Sequence, residues 1–207
     1  MQSHRRAPLF ILGGGVLAGL ALIAALALSQ PRPYIFAGVV QPDPAPVEDF
    51  ALETAGGRAI ALSDLRGRYG LIVFGYTFCP DVCPGTLALL GRVLAGLGSD
   101  RDQVVVAFIS IDPERDTPDR TATYATLFDP AFIGLSGTPA AIATAASRFN
   151  VTYARQEAPG SAAGYLMSHS AYVYLVDPQG HWRVSFPYGV TDDEITRDLQ
   201  HLIAEVR

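Results

Sequence analysis

The polar and apolar pattern divides the chain into two unequal parts. Residues 9–28 are an unbroken apolar run with no charged or strongly polar side chain. As a helix they span about 30 Å, the thickness of a bilayer core. Beyond them the apolar segments are short and are separated by Gly, Pro, Asp and Ser. Residues 50–52 and 59–62, joined through Gly56-Gly57, predict a small hairpin. Residues 71–76 and 104–111 are continuous in apolar residues, as strands covered on both faces are. A loop and a helix to about Leu97 lie between them. A helix ending near Phe128, capped by Asp116 or Thr117, precedes a short strand at 133–135. Thr138-Pro139 opens a helix to Phe149, with proline at the first helical position. Residues 151–155 predict a short edge strand and 156–166 a polar, mobile loop. Residues 172–176 and 182–186 predict a second hairpin turning at Asp177-Pro178-Gln179-Gly180. Thr191 caps a last helix with Asp192, Asp193 and Glu194 in its first turn.

This order divides the chain into a head (1–8), a transmembrane anchor (9–28), a Pro-rich linker (29–47) and one folded domain (48–207). His4, Arg5 and Arg6 precede the apolar run, so the positive-inside rule keeps the head cytoplasmic and exports the domain. The expected location is the inner (cytoplasmic) membrane, single-pass, with the domain on the periplasmic side. A cleaved signal peptide ending at Ala25-Leu26-Ala27 is the rival reading, but the apolar run is long for one. Pro31, Pro33, Pro42, Pro44 and Pro46 make the linker extended. The net charge is -5, and every basic residue is Arg. From residue 33 onward 12 arginines face 20 acids, a balance of -8 that excludes nucleic acid as a partner.

Candidate chemistry gathers at Cys79 and Cys83, the two cysteines of the chain. They follow the apolar run 71–76 and open a helix, the place at the carboxyl end of a strand where α/β sheets bind ligands. A disulfide closing so short a loop removes little chain entropy, so a chemical role outweighs a structural one. Residues four apart lie on one helical face, and a helix amino terminus favours thiolates. Two thiolates hold Cu(I), and an imidazole completes a site for copper or zinc. Of the histidines, His4 is in the head, His181 in a turn and His201 in the last helix. His169 stands before the strand at 172–176. Taken alone, a single histidine is more often a surface residue than a ligand. The element order is that of thioredoxin-like α/β domains, where the residues before this strand pack over the cysteine loop.

The motifs carry a family resemblance. Phe78-Cys79-Pro80-Asp81-Val82-Cys83-Pro84, then residues 110–118 (Ser-Ile-Asp-Pro-Glu-Arg-Asp-Thr-Pro), then Ser168-His169-Ser170 with Tyr174-Leu175-Val176-Asp177-Pro178-Gln179-Gly180, stand in the order found in the Sco/SenC copper-binding proteins of cytochrome c oxidase assembly. The chain resembles that family over residues 45–207, and the anchor and linker match too. The resemblance implies Cys79, Cys83 and His169 as metal ligands for Cu(I) and Cu(II). It implies a chaperone delivering copper to the dinuclear site of the oxidase's copper-bearing subunit, or a reductant of that site's thiols. Other copper or thiol carriers would be further partners.

Competing readings remain. A thiol-disulfide oxidoreductase would use Cys79 and Cys83 as a redox pair, but the spacing is one residue longer than Cys-x-x-Cys. No proline immediately precedes the 172–176 strand, where such enzymes carry one. A peroxiredoxin-type peroxidase needs Pro where Gly75 stands. Zinc would suit a structural site with a fourth ligand, and none is evident. Tyr76 and Phe78 are expected to pack around the cysteine loop, Asp81 to lie in its turn, and Asp112 and Asp116 to serve turn and cap chemistry. Met167 is a soft donor only by proximity to His169.

Overall fold

The computed structural model describes residues 33–160 and 163–205. The expected head and membrane anchor lie outside the described residues, and no helix among the described residues is long and apolar enough to cross a membrane. The chain divides into Met1–Ile35 and Phe36–Arg207, and the second unit carries every element named below.

A six-stranded sheet forms its centre. Its strands are β1 (Val39–Val40), β4 (Tyr69–Gly75), β5 (Val104–Ser110), β6 (Ile133–Leu135), β9 (Tyr172–Val176) and β10 (Trp182–Pro187), in the spatial order β1-β10-β9-β4-β5-β6. β4, β5 and β6 run parallel, while β9 is antiparallel to β4 and to β10. Every residue of β4 and β5 is buried, as their unbroken apolar sequence requires.

Three α-helices follow the parallel strands: α1 (Val82–Gly96), α2 (Pro118–Thr126) and α3 (Pro139–Arg148). A fourth, α4 (Asp192–Glu205), ends the fold. In α1 the buried residues Cys83, Leu87, Leu90 and Leu94 recur at helical spacing, so one stripe faces the sheet. α2 and α3 both begin at proline behind a threonine cap, with Thr117 accepting from the Arg120 amide at 3.3 Å and Thr138 from the Ala141 amide at 3.2 Å. At α4, Thr191 and Glu194 form a reciprocal capping box. Phe74 meets Phe149 and Tyr174 on one face of the sheet, and Phe108 meets Tyr124 elsewhere in the core.

The predicted first hairpin is β2 (Ala51–Thr54) with β3 (Arg58–Ala61), a two-stranded sheet of its own. Two segments differ from expectation. Val39 and Val40, within the segment read as linker, pair with Ser185 and Val184 and form the outer strand β1. Residues 151–155 do not join the edge of the main sheet. Instead β7 (Tyr153–Glu157) pairs antiparallel with β8 (Tyr165–His169) in a separate hairpin that takes both ends of the expected loop. The polar residues Arg155, Gln156 and Glu157 are exposed, which an isolated ribbon tolerates and a covered strand does not.

Candidate metal centre

β4 ends at Gly75, and the chain turns through residues 76–81 into α1. The cysteine loop therefore sits at the carboxyl ends of two parallel strands, as expected. The two cysteines are not on one helical face, however. α1 starts at Val82, so Cys83 belongs to its first turn while Cys79 precedes it. Cys79 turns back over the helix end, and its Sγ accepts the Cys83 amide at 3.3 Å. The sulfur occupies the place of a capping oxygen, satisfying one of the free donors of the first turn.

Both cysteines are free; Cys83 is buried and Cys79 is half-buried. The Cys83 thiol donates to Cys79, and this bond is the main reason that Cys79 is pulled from the ordinary thiol range down to about 4. His169 and the amides of Cys83 and Asp81 act in the same direction, and burial opposes them. Cys83 is pushed up, because its proton is held in that bond, because it is buried, and because a negative sulfur lies beside it. The reduced pair thus holds one proton between two sulfurs.

His169 ends β8. Strand alternation puts Tyr165, Met167 and His169 on one face of the hairpin, with Leu166 and Ser168 on the other. His169 Nε2 lies 3.7 Å from Cys83 Sγ, and Nδ1 lies 3.0 Å from the Ser170 carbonyl oxygen. A carbonyl accepts only, so Nδ1 donates to it, and Nε2 is the ring nitrogen that faces the sulfurs. A metal-binding imidazole held in this way would ligate through Nε2.

The donor set fits a soft metal. Metal bonds of about 2.3 Å to sulfur and about 2.0 Å to nitrogen, at tetrahedral to trigonal angles, give an S to N edge of roughly 3.5–3.8 Å. The Cys83–His169 pair already spans such an edge. The donors are adjacent rather than closed into a cage: among the described residues no three His, Cys, Asp or Glu side chains are gathered as a metal-binding group.

The other candidates separate. His181 pairs with Asp177 and His201 with Glu205, and His4 lies outside the described residues. The Asp81 side chain makes no capping bond; its backbone amide serves Cys79 instead. Met167 packs against the core, and its backbone bonds to Tyr76. Tyr76 is buried, its ring edge-to-face with His169 at 6.3 Å. Phe78 is 39% exposed and lies under the guanidinium groups of Arg115 and Arg120, so it does not seal the pair from water.

Asp116 does not cap α2, since Thr117 does. Asp116 is fully buried and accepts from the Thr77 amide at 2.8 Å, from the Thr77 hydroxyl and from the Ser110 hydroxyl at 2.6 Å, anchoring the cysteine loop. Asp112 accepts from Tyr165 and Arg115 as well as lying in its turn. Arg115 and Tyr165 were not legible as site residues. The signal was the alternation Tyr165, Met167, His169, which becomes readable once 165–169 is known to be a strand.

The SCO1/SenC family profile matches residues 40–204. The chain belongs to this family. The SCO2-like protein of Rickettsia felis is 34% identical over 152 residues, covering 73% of this chain and 74% of that protein. The solution structure of apo Sco1 from Thermus thermophilus superposes with a TM-score of 0.74 at 38% identity, covering 83% of this chain and 99% of that one. ScoI of Bradyrhizobium japonicum, solved with copper bound, gives 0.68 at 40% identity over 76% of this chain and 99% of its own. The fold of this SCO1/SenC protein is accordingly thioredoxin-like α/β, and the matched span takes in Cys79, Cys83 and His169.

Proposed function

We propose that this SCO1/SenC protein is a membrane-anchored copper chaperone that carries copper on Cys79, Cys83 and His169. Its role would be to help assemble the dinuclear copper centre of cytochrome c oxidase, with the oxidase's copper-bearing subunit as the receiving partner. The observation that carries the reading is the 3.7 Å approach of His169 Nε2 to Cys83 Sγ beside the Cys79 thiolate. Copper is the cargo. Two thiolates suffice for Cu(I), and a neutral imidazole adds the harder donor that Cu(II) takes. The solved structures of similar proteins with copper bound support this cargo. Anchoring through residues 9–28, with the domain on the periplasmic side, completes the proposal.

The test is titration of the reduced, purified full-length protein with Cu(II) and with Cu(I), alongside Cys79→Ser, Cys83→Ser and His169→Ala. A thiolate-to-Cu(II) charge-transfer band at one copper per chain, lost in both serine variants, is expected. His169→Ala is expected to weaken Cu(II) more than Cu(I). Retention of full Cu(II) binding by His169→Ala would remove it from the site.

A second reading has its own support. A half-buried, low-pKa thiol beside a buried partner is the layout of an attacking and a resolving cysteine. Cys79 and Cys83 would then reduce the target's disulfide, becoming a disulfide themselves. Prompt oxidation of the pair by Cu(II), with no copper retained, would favour it.

A further inference from the structure

The hairpin carrying His169 forms no ladder with the central sheet. A two-stranded ribbon alone is marginally stable in water, so the position of His169 over the cysteines depends on its two-residue link to β9 and on side chains that hold the rest of the hairpin down. We infer that Arg115 is the positioning residue that clamps the β7–β8 hairpin onto the cysteine loop and so holds His169 at ligand distance. The inference rests on the metal assignment proposed above.

Arg115 reaches both sides of the site. Its Nη1 donates to the carbonyls of Ala163 at 3.1 Å and Tyr165 at 3.0 Å, both from the hairpin. Its Nε donates to Asp112, whose other oxygen accepts the Tyr165 hydroxyl at 2.7 Å. Nη2 is buried and makes no hydrogen bond among the described residues. The guanidinium instead lies 3.6 Å from the centre of the Tyr165 ring, 4.7 Å from that of Phe78 and 5.7 Å from that of Tyr76. Phe78 directly precedes Cys79, and Tyr76 bonds to the backbone of Met167. One cation therefore binds the start of β8 by hydrogen bonds and the cysteine loop by cation–π contact. Arg155 lies over the same Tyr165 ring at 3.8 Å and pairs with Glu114 at 2.8 Å, a second tie from the same loop. Lysine cannot replace the clamp: an ammonium has neither the fork for two carbonyls and a carboxylate nor a plane to stack on rings.

The test uses Arg115→Lys and Arg115→Ala in the full-length protein, each also made in the His169→Ala background. Both single variants are expected to lower Cu(II) affinity about tenfold, the usual scale for a residue that orients a ligand. Their Cu(II) spectrum should move toward that of His169→Ala, while Cu(I) affinity stays within about threefold because the thiolates suffice. In the His169→Ala background the Arg115 effect should vanish, since it acts through His169. If Arg115→Ala does not fold, Arg115→Lys decides. Parental Cu(II) affinity in the Arg115 variants would overturn the inference, and so would an effect undiminished in the His169→Ala background. A copper-free readout separates the two assignments: amide exchange across residues 165–169 should quicken about tenfold in Arg115→Lys. If His169→Ala leaves Cu(II) binding intact, the ligand assignment falls, and this exchange alone judges the clamp. Unchanged exchange then overturns it.

Discussion

Gly75 and Cys83 are packed so closely that a β-carbon on Gly75 would stand 2.7 Å from Cys83 Sγ and 2.8 Å from Phe108 Cε2. Both neighbours are buried, at 2% and 0% exposure, so neither can swing away. The last residue of β4 is glycine because the sulfur fills the space of its side chain. Gly75→Ala is expected to cost about 1–3 kcal/mol, the range for overpacking a filled core. It should also displace Cys83 and weaken Cu(I) binding. A urea midpoint and a Cu(I) competition titration check both, and parental values in the two would refute the packing argument.

The shared proton of the cysteine pair predicts selective chemistry. Cys79 is depressed to about 4 and half-buried, while Cys83 is pushed up and buried. Cys79 is thus thiolate at every pH above that value. Its alkylation by iodoacetamide should stay nearly flat from about pH 5.5 to 8, where an ordinary thiol of pKa about 8.5 speeds up tenfold per unit. Peptide mapping should find the label on Cys79 first. Cys83→Ala removes the main cause of the depression, so Cys79 should then regain a steep pH dependence. Label appearing first on Cys83 would contradict the assignment of the proton.

The cysteine motif and the two buried parallel strands were legible because they are local: an apolar run, a tight turn, a helix start. The position of His169 in a strand was not. Arg155, Gln156 and Glu157 are exposed and polar, so no periodicity marks the segment, and its pairing with 165–169 is decided across the turn between them. Val39 and Val40 hid in proline-rich surroundings for the same reason, as their partner strand lies far along the chain. In the sequence Asp116 is one of two candidate caps, with Thr117, from its place before a helix. Its actual partners, Thr77 and Ser110, come from two other segments and leave no trace at short range.

Gly85 has no steric reason to be glycine. It sits in the first turn of α1, donates its amide to the Asp81 carbonyl at 3.0 Å, and a β-carbon there would meet nothing within 4 Å. Helical glycine costs about 0.5–1 kcal/mol relative to alanine through backbone entropy. Gly85→Ala should therefore raise the unfolding free energy by that amount, read as a higher urea midpoint at unchanged m-value. Copper affinity should be unchanged, because the added methyl points into open space. A lower midpoint would mean that the helix start is not built as described.

Asp116 and Thr117 are neighbours with different work, and their alanine variants should separate it. Thr117 caps α2 through the Arg120 amide, so Thr117→Ala should cost about 1 kcal/mol, the usual loss of a cap. Asp116→Ala strips the partner from the Thr77 amide and from the buried Ser110 hydroxyl. Each donor left unpaired away from water costs about 1–3 kcal/mol, so the loss should be at least twice that of Thr117→Ala. The two variants should differ at the site as well. Thr77 stands two residues before Cys79, so freeing it loosens the cysteine loop. Asp116→Ala should therefore also lower Cu(I) affinity, while Thr117→Ala leaves it unchanged. Equal stability losses with copper binding intact in both would return Asp116 to an ordinary turn residue.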